Sequence, residues 1–92
     1  MSDAEGWHVE LTATANRSLH RMPAKAAVAC LEFCFGVLSR DPHRLGKPLL
    51  RELTDHWVAR RGPYRIVYVI DADSRKISLL RIEHRADVYR SR

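Results

Sequence analysis

From Trp7 to Leu11 (Trp-His-Val-Glu-Leu) apolar and polar residues alternate, the two-residue period of a half-buried strand. The period then lengthens. A first short helix is predicted from about Thr14 to Arg21, with Thr12 or Thr14 as its cap. Pro23 suits the first turn of a second helix, where its missing N–H costs nothing. In that helix Ala27, Cys30, Leu31, Cys34, Val37 and Leu38 recur at three- and four-residue spacing and form one apolar stripe, which Phe33 and Phe35 widen. Asp41-Pro42 ends it, because a residue before proline is pushed out of the helical region. His43 to Asp55 reads as a connection broken by Gly46 and Pro48. Three strand-like runs follow: His56 to Arg61, Tyr64 to Asp71 and Lys76 to Arg85. Arg61-Gly62-Pro63 separates the first two, and the polar turn Ala72-Asp73-Ser74-Arg75 separates the last two.

The order strand, helix, helix, strand, strand, strand predicts an α+β fold. Short turns make neighbouring strands antiparallel, and both helices should cover one face of the sheet, since their stripe needs a partner surface. At 92 residues the chain has room for a single domain, 1–92, and one modest core. Strand periodicity puts Arg65, Val67 and Val69 on one side of the middle run, with Tyr64, Ile66, Tyr68 and Ile70 on the other. In the last run it groups Ser78, Leu80, Ile82 and His84 against Ile77, Leu79, Arg81, Glu83 and Arg85. One arrangement brings Arg60, Arg65, Arg81 and Arg85 to a common face while Trp57, Tyr64 and Leu80 look toward the helices. Four guanidiniums there repel unless an anion or a carboxylate lies between them, and Glu83 can supply part of that compensation.

Charge sharpens this picture. The formal net charge is +5, and of the 16 cationic side chains all but Lys25, Lys47 and Lys76 are arginine. Arginine's planar, permanently charged fork suits phosphate, so a polyanion, above all RNA, is the partner the sheet points to. A solvated face of local Arg–Glu and Arg–Asp pairs is the plainer alternative. Cys30 and Cys34 lie four apart on the apolar stripe and read as core. The five histidines, His8, His20, His43, His56 and His84, show no ligand spacing, so neither a metal nor another cofactor is expected. There is no glycine-rich phosphate loop. No apolar stretch approaches the roughly 20 residues of a membrane span, and Met1 to Gly6 lacks the basic-then-apolar pattern of a secretory signal, so a cytoplasmic location is expected.

The run Trp57-Val58-Ala59-Arg60-Arg61-Gly62-Pro63-Tyr64-Arg65-Ile66-Val67-Tyr68 resembles the W-x-x-R-x-G-x-Y-R-I-V-Y pattern of the RelE/ParE toxin superfamily. His84-Arg85-Ala86-Asp87-Val88-Tyr89 is similar to that family's closing H-R-x-x-V-Y, and Asp41-Pro42 with Gly46-Lys47-Pro48-Leu49 to its D/N-P…G-K-P-L connection. The likeness covers nearly the whole chain and implies the fold derived above.

What the resemblance implies is the toxin of a type II toxin–antitoxin pair. RelE-like members cut messenger RNA in the ribosomal A site, by attack of the ribose 2′-OH, leaving 2′,3′-cyclic phosphate and 5′-OH ends. On this reading Arg65 and Arg85 stabilise the charged phosphorane, and Tyr89 stacks on a base. His84 is a candidate for proton transfer. Arg60, Arg61, Arg81, His56 and Lys47 would line the RNA path. This chain lacks the lysines that the RelE pattern often places around His56 and Val58, and position 83, about which that pattern often has an arginine, is a glutamate. Proton transfer would then pass to His56, Glu83 or His84. Two other readings stay open: a ParE-like inhibitor of DNA gyrase on the same scaffold, and an inactive homologue that only binds an antitoxin. All three imply a cognate RelB-like antitoxin; the first adds ribosome and mRNA as partners, and none involves a membrane.

Overall fold

The computed structural model describes residues 6–49 and 55–86. The chain opens with strand β1 (His8–Leu11), then helices α1 (Ala13–His20) and α2 (Ala24–Phe33). Thr12 caps α1: its backbone is extended, and its hydroxyl accepts the Ala15 N–H at 3.1 Å. Pro23 sits one residue earlier than the sequence suggested, at the N-cap of α2. Helix α2 runs on through a π-helical turn, Cys34–Leu38. A wider turn loosens the hydrogen-bond ladder, and the Ser39 hydroxyl compensates by donating to the Phe35 and Gly36 carbonyls at 2.9 and 2.8 Å. Among the described residues, two short elements stand where the connection was expected: α3 (Pro42–Leu45), which starts one residue ahead of it, and β2 (Lys47–Pro48). Strands β3 (His56–Arg61), β4 (Tyr64–Asp71) and β5 (Lys76–His84) follow. Among the described residues no helix is long and apolar enough to cross a membrane.

The sheet has five strands in the order β1-β5-β4-β3-β2. Strands β2 through β5 pair antiparallel, as short turns require, but β1 pairs parallel with β5. The two helices between β1 and the remaining strands supply the long crossover that a parallel pair needs. Gly62 adopts φ +61° at the start of the two-residue β3–β4 turn, a conformation that glycine enters without steric cost.

In β5 the pairing slips: Arg81 partners Val67, while Leu79 partners the next residue along β4, Tyr68. Leu80 is the extra residue of a β-bulge, and side-chain alternation changes phase across it. The carbonyls at this irregularity are held by α1's cap, for the Thr12 hydroxyl donates to Leu79 and Leu80 oxygens at 2.9 and 3.0 Å.

One face of the sheet packs on the helices. Ala15 and Leu19 of α1, and Cys30, Cys34 and Leu38 of the second helix, meet Ala59, Ile66, Tyr68, Ile70, Ile77, Leu79 and Ile82 in a single core. Each fully buried aliphatic side chain here contributes about 2 kcal/mol. Tyr68 is buried, and its hydroxyl donates to the Pro42 carbonyl at 2.6 Å, tying α3 to the sheet. Gly46 passes so close to the Tyr68 ring that a Cβ there would collide with its hydroxyl and come within 2.9 Å of the Val58 carbonyl. Burial pushes the Cys34 thiol up to about 12 and raises that of Cys30, where Arg61 opposes it. Both cysteines are core residues.

Candidate nucleic-acid interface

Pairing register sorts the remaining strand residues onto the second face, which no described helix covers. Three cross-strand rows run over it: Arg60–Arg65–Glu83, then Lys47–Val58–Val67–Arg81, then His56–Val69–Ser78. Facing partners in a sheet share a side, so Arg60, Arg65, Arg81, Lys47 and His56 all lie on this face. Val67, fully buried, sits between Val58 and Arg81 in the middle row.

The bulge makes this grouping possible. Unbroken alternation from Leu79 would turn Arg81 and Glu83 toward the helices and Leu80 and Ile82 away from them. With Leu80 as the extra residue, Ile82 joins the core and Arg81 and Glu83 stand beside Arg65. The grouping of Ile77 and Leu79 with Arg81 and Glu83, and of Ser78 with Ile82 and His84, is therefore corrected. Leu80 is not one of the core residues. The sequence carried a signal: apolar positions run 77, 79, 80, 82, a doublet where the phase changes.

Glu83 supplies the compensation that clustered guanidiniums need. Its Oε2 accepts from Arg81 Nε at 2.9 Å, and its Oε1 lies 3.9 Å from an Arg65 guanidinium nitrogen. The three side chains are about one-third exposed, at 27%, 35% and 30% for Arg65, Arg81 and Glu83. Arg60, one strand over in the same row, is exposed.

The other expected site residues gather at the same end of the sheet, off this face. Arg61 and His84 flank Tyr64 in the next row and belong to the helix side. His84 meets Tyr64 edge-on at 5.1 Å, and its Nδ1 accepts the Ala86 N–H at 3.0 Å, so the neutral ring carries its proton on Nε2. Arg85 lies past the end of β5 and is exposed; its N–H donates to the Pro63 carbonyl at 2.8 Å, which holds it against the β3–β4 turn. It is not a member of the strand face expected for it. Tyr89 lies outside the described residues. His56 is four residues from Arg60, about 13 Å along the strand.

The far end of the sheet has the opposite character. A cleft there is lined by Asp55, Asp71 and Asp73 with Trp57 and His43. The Ser74 side chain and backbone N–H hold the Asp71 carboxyl below its ordinary range. Arg75 and Lys76 offset part of the acid at that end, and the difference in charge draws a polyanion to the Arg60–Arg65 end.

Comparison with known proteins agrees with this fold. The family model for the ParE toxin of the parDE type II toxin–antitoxin system matches residues 9–89. Toxin RelE of Mycobacterium tuberculosis is 50% identical over 90 residues, covering 98% of this chain and 93% of its own length. Toxin RelG of the same organism is 51% identical over 82 residues, 89% of this chain and 94% of that protein. A chain of the M. tuberculosis toxin–antitoxin complex RelBE2 superposes with a TM-score of 0.82 at 48% identity, covering 87% of this chain and 99% of that one. A family match over most of the chain, with half its residues shared with Toxin RelE, places it: the chain is a RelE-like member of the ParE toxin family of type II toxin–antitoxin systems.

Proposed function

We propose that this toxin is an endoribonuclease that cuts messenger RNA on the ribosome and is held inactive by a cognate RelB-like antitoxin. The observation that carries the reading is the gathering of Arg60, Arg65 and Arg81 on the sheet face away from the helices, with Arg85 at its end. A backbone phosphate laid on that end meets several fixed, permanently charged forks.

The reaction needs no redox step. The ribose 2′-oxygen gives its proton to solvent water and bonds to phosphorus, the bond to the 5′-oxygen breaks, and that oxygen takes up a proton. The products are a 2′,3′-cyclic phosphate and a 5′-OH end. Arg65 and Arg85 offset the charge that builds on the phosphorane, the kind of stabilisation that dominates such reactions. His84 is the proton donor to the leaving oxygen: protonation at Nδ1 breaks its bond with Ala86 and makes the Nε2–H acidic. Tyr89 stacks on an unpaired base, as its place in the closing motif implies. Lys47 and His56, in the next two rows of the same face, extend the contact across the sheet, while Arg61, expected on the RNA path, faces the helix side.

The antitoxin has two surfaces to use. Val28, Phe35 and Val37 are each about half exposed on the helical side, at 53%, 51% and 51%, and the arginine face calls for acidic residues. A segment that folds on binding can cover both. A relative of known structure, RelBE2, was solved as a toxin–antitoxin complex.

The family model's own description, that of ParE, favours one second reading: inhibition of DNA gyrase on the same scaffold. Induced expression followed by mapping of mRNA 5′ ends separates the two. Codon-phased cuts bearing 5′-OH termini are the expected result. Intact mRNA together with loss of DNA supercoiling by purified gyrase would establish the gyrase reading instead.

A further inference from the structure

We propose that the Glu83 carboxylate holds the place of an RNA phosphate, and must be displaced before Arg65 and Arg81 can close on the nucleic acid. The proposal rests on the reading of this face as the RNA site and adds a regulatory residue to it. Glu83 presents one oxygen to each guanidinium, Oε2 to Arg81 and Oε1 to Arg65. A phosphodiester offers the same arrangement, two non-bridging oxygens on one centre with one negative charge. The carboxylate thus marks a preformed anion seat between two cations that the β-bulge brings to one face.

Exchange at that seat is feasible. All three side chains are partly open to water, and ion pairs of this exposure hold their partners weakly. Exchange also has a threshold, because the incoming phosphate meets a like charge until Glu83 swings away. A lone phosphate gains only what the carboxylate already had. A strand held at the same time by Arg60 in the same row, and by Arg85 at the sheet's end, gains more. Glu83 therefore selects for RNA anchored at several points over free phosphate or passing single strands.

The test uses the full chain and a labelled 2′-O-methyl RNA oligonucleotide, which lacks the attacking hydroxyl, with binding read by fluorescence anisotropy at fixed salt. Glu83→Gln keeps shape and removes charge; it is expected to bind roughly tenfold tighter than the wild type. Glu83→Ala is expected to move the same way and serves if the glutamine variant loses its circular dichroism spectrum. Arg65→Ala should weaken binding with either residue at position 83. Unchanged or weaker binding by both folded Glu83 variants, alongside a clear Arg65→Ala loss, would overturn the seat while leaving the RNA face standing. If those variants bind as the wild type does but no longer cut mRNA, Glu83 is a proton-transfer group and the seat is again rejected. No effect of Arg65→Ala would bring down the RNA reading of this face, and this proposal with it.

Discussion

Cys34 shows how a side chain with no part in the chemistry still shapes the protein's behaviour. Its thiol is fully buried, and burial disfavours the thiolate, pushing the group from an ordinary 9.0 up to about 12. The folded state therefore keeps a proton that the unfolded chain gives up. The stability linked to this group is whole below pH 9 and declines as pH climbs from 9 toward 12. The midpoint of urea unfolding is expected to fall across that window, and less steeply in Cys34→Ala than in the wild type. Identical slopes in the two proteins would show that the thiol is not held protonated by the fold. The nearby aromatic centre obeys the same rule: burial raises the pKa of Tyr68, whose hydroxyl is spent on the Pro42 carbonyl.

Among the elements, β5 carries most of the site's geometry, and its bulge depends on a residue of another element. Thr12 caps α1 and donates to both carbonyls at the irregularity, so one hydroxyl serves helix and strand. Thr12→Val keeps the shape and removes those bonds. A lost cap costs about 1 kcal/mol, which in a domain this size lowers Tm by roughly 4–8 °C. A thermal melt that does not move would mean that water replaces the hydroxyl at no cost. This joint also marks where the sequence was legible and where it was not. Strands β3 and β4 were predicted residue for residue, because the Gly62-Pro63 turn separates them, weak alternation marks β3, and β-branched and aromatic residues fill β4. The capping role of Thr12 was readable from its place before a periodic run. The parallel pairing of β1 was hidden, since nothing local distinguishes a strand that joins β5 from one that joins its neighbour. The bulge left only the Leu79-Leu80 doublet as a trace, so the sorting of β5 residues by simple alternation failed beyond it. Arg85 was placed one residue too far along the strand. The strand ends at His84, and Arg85 beyond it is tied by its backbone to Pro63.

Over the whole molecule the division of labour follows from the sheet having two faces. The side toward Ile66, Tyr68, Ile77 and Leu79 is consumed by the helices and supplies the stability. The side with Arg60, Arg65 and Arg81 faces away from the helices and carries charge that adds little to folding. Along the strands the charge is uneven as well, with arginines at one end and, at the other, Asp55, Asp71 and Asp73 partly offset by Arg75 and Lys76. A flexible polyanion would thus be oriented before any specific contact forms. The site at the arginine end depends on Arg65 most, as it stands between Arg60 and Glu83 in the outermost row of this face. The most direct measurement is growth of cells induced to express Arg65→Ala, with the variant's folding checked by its melting temperature and mRNA 5′ ends mapped in the same cultures. Growth should resume and codon-phased 5′-OH ends should disappear while the melting temperature holds. A folded Arg65→Ala protein that still arrests growth and still cuts mRNA would contradict the account.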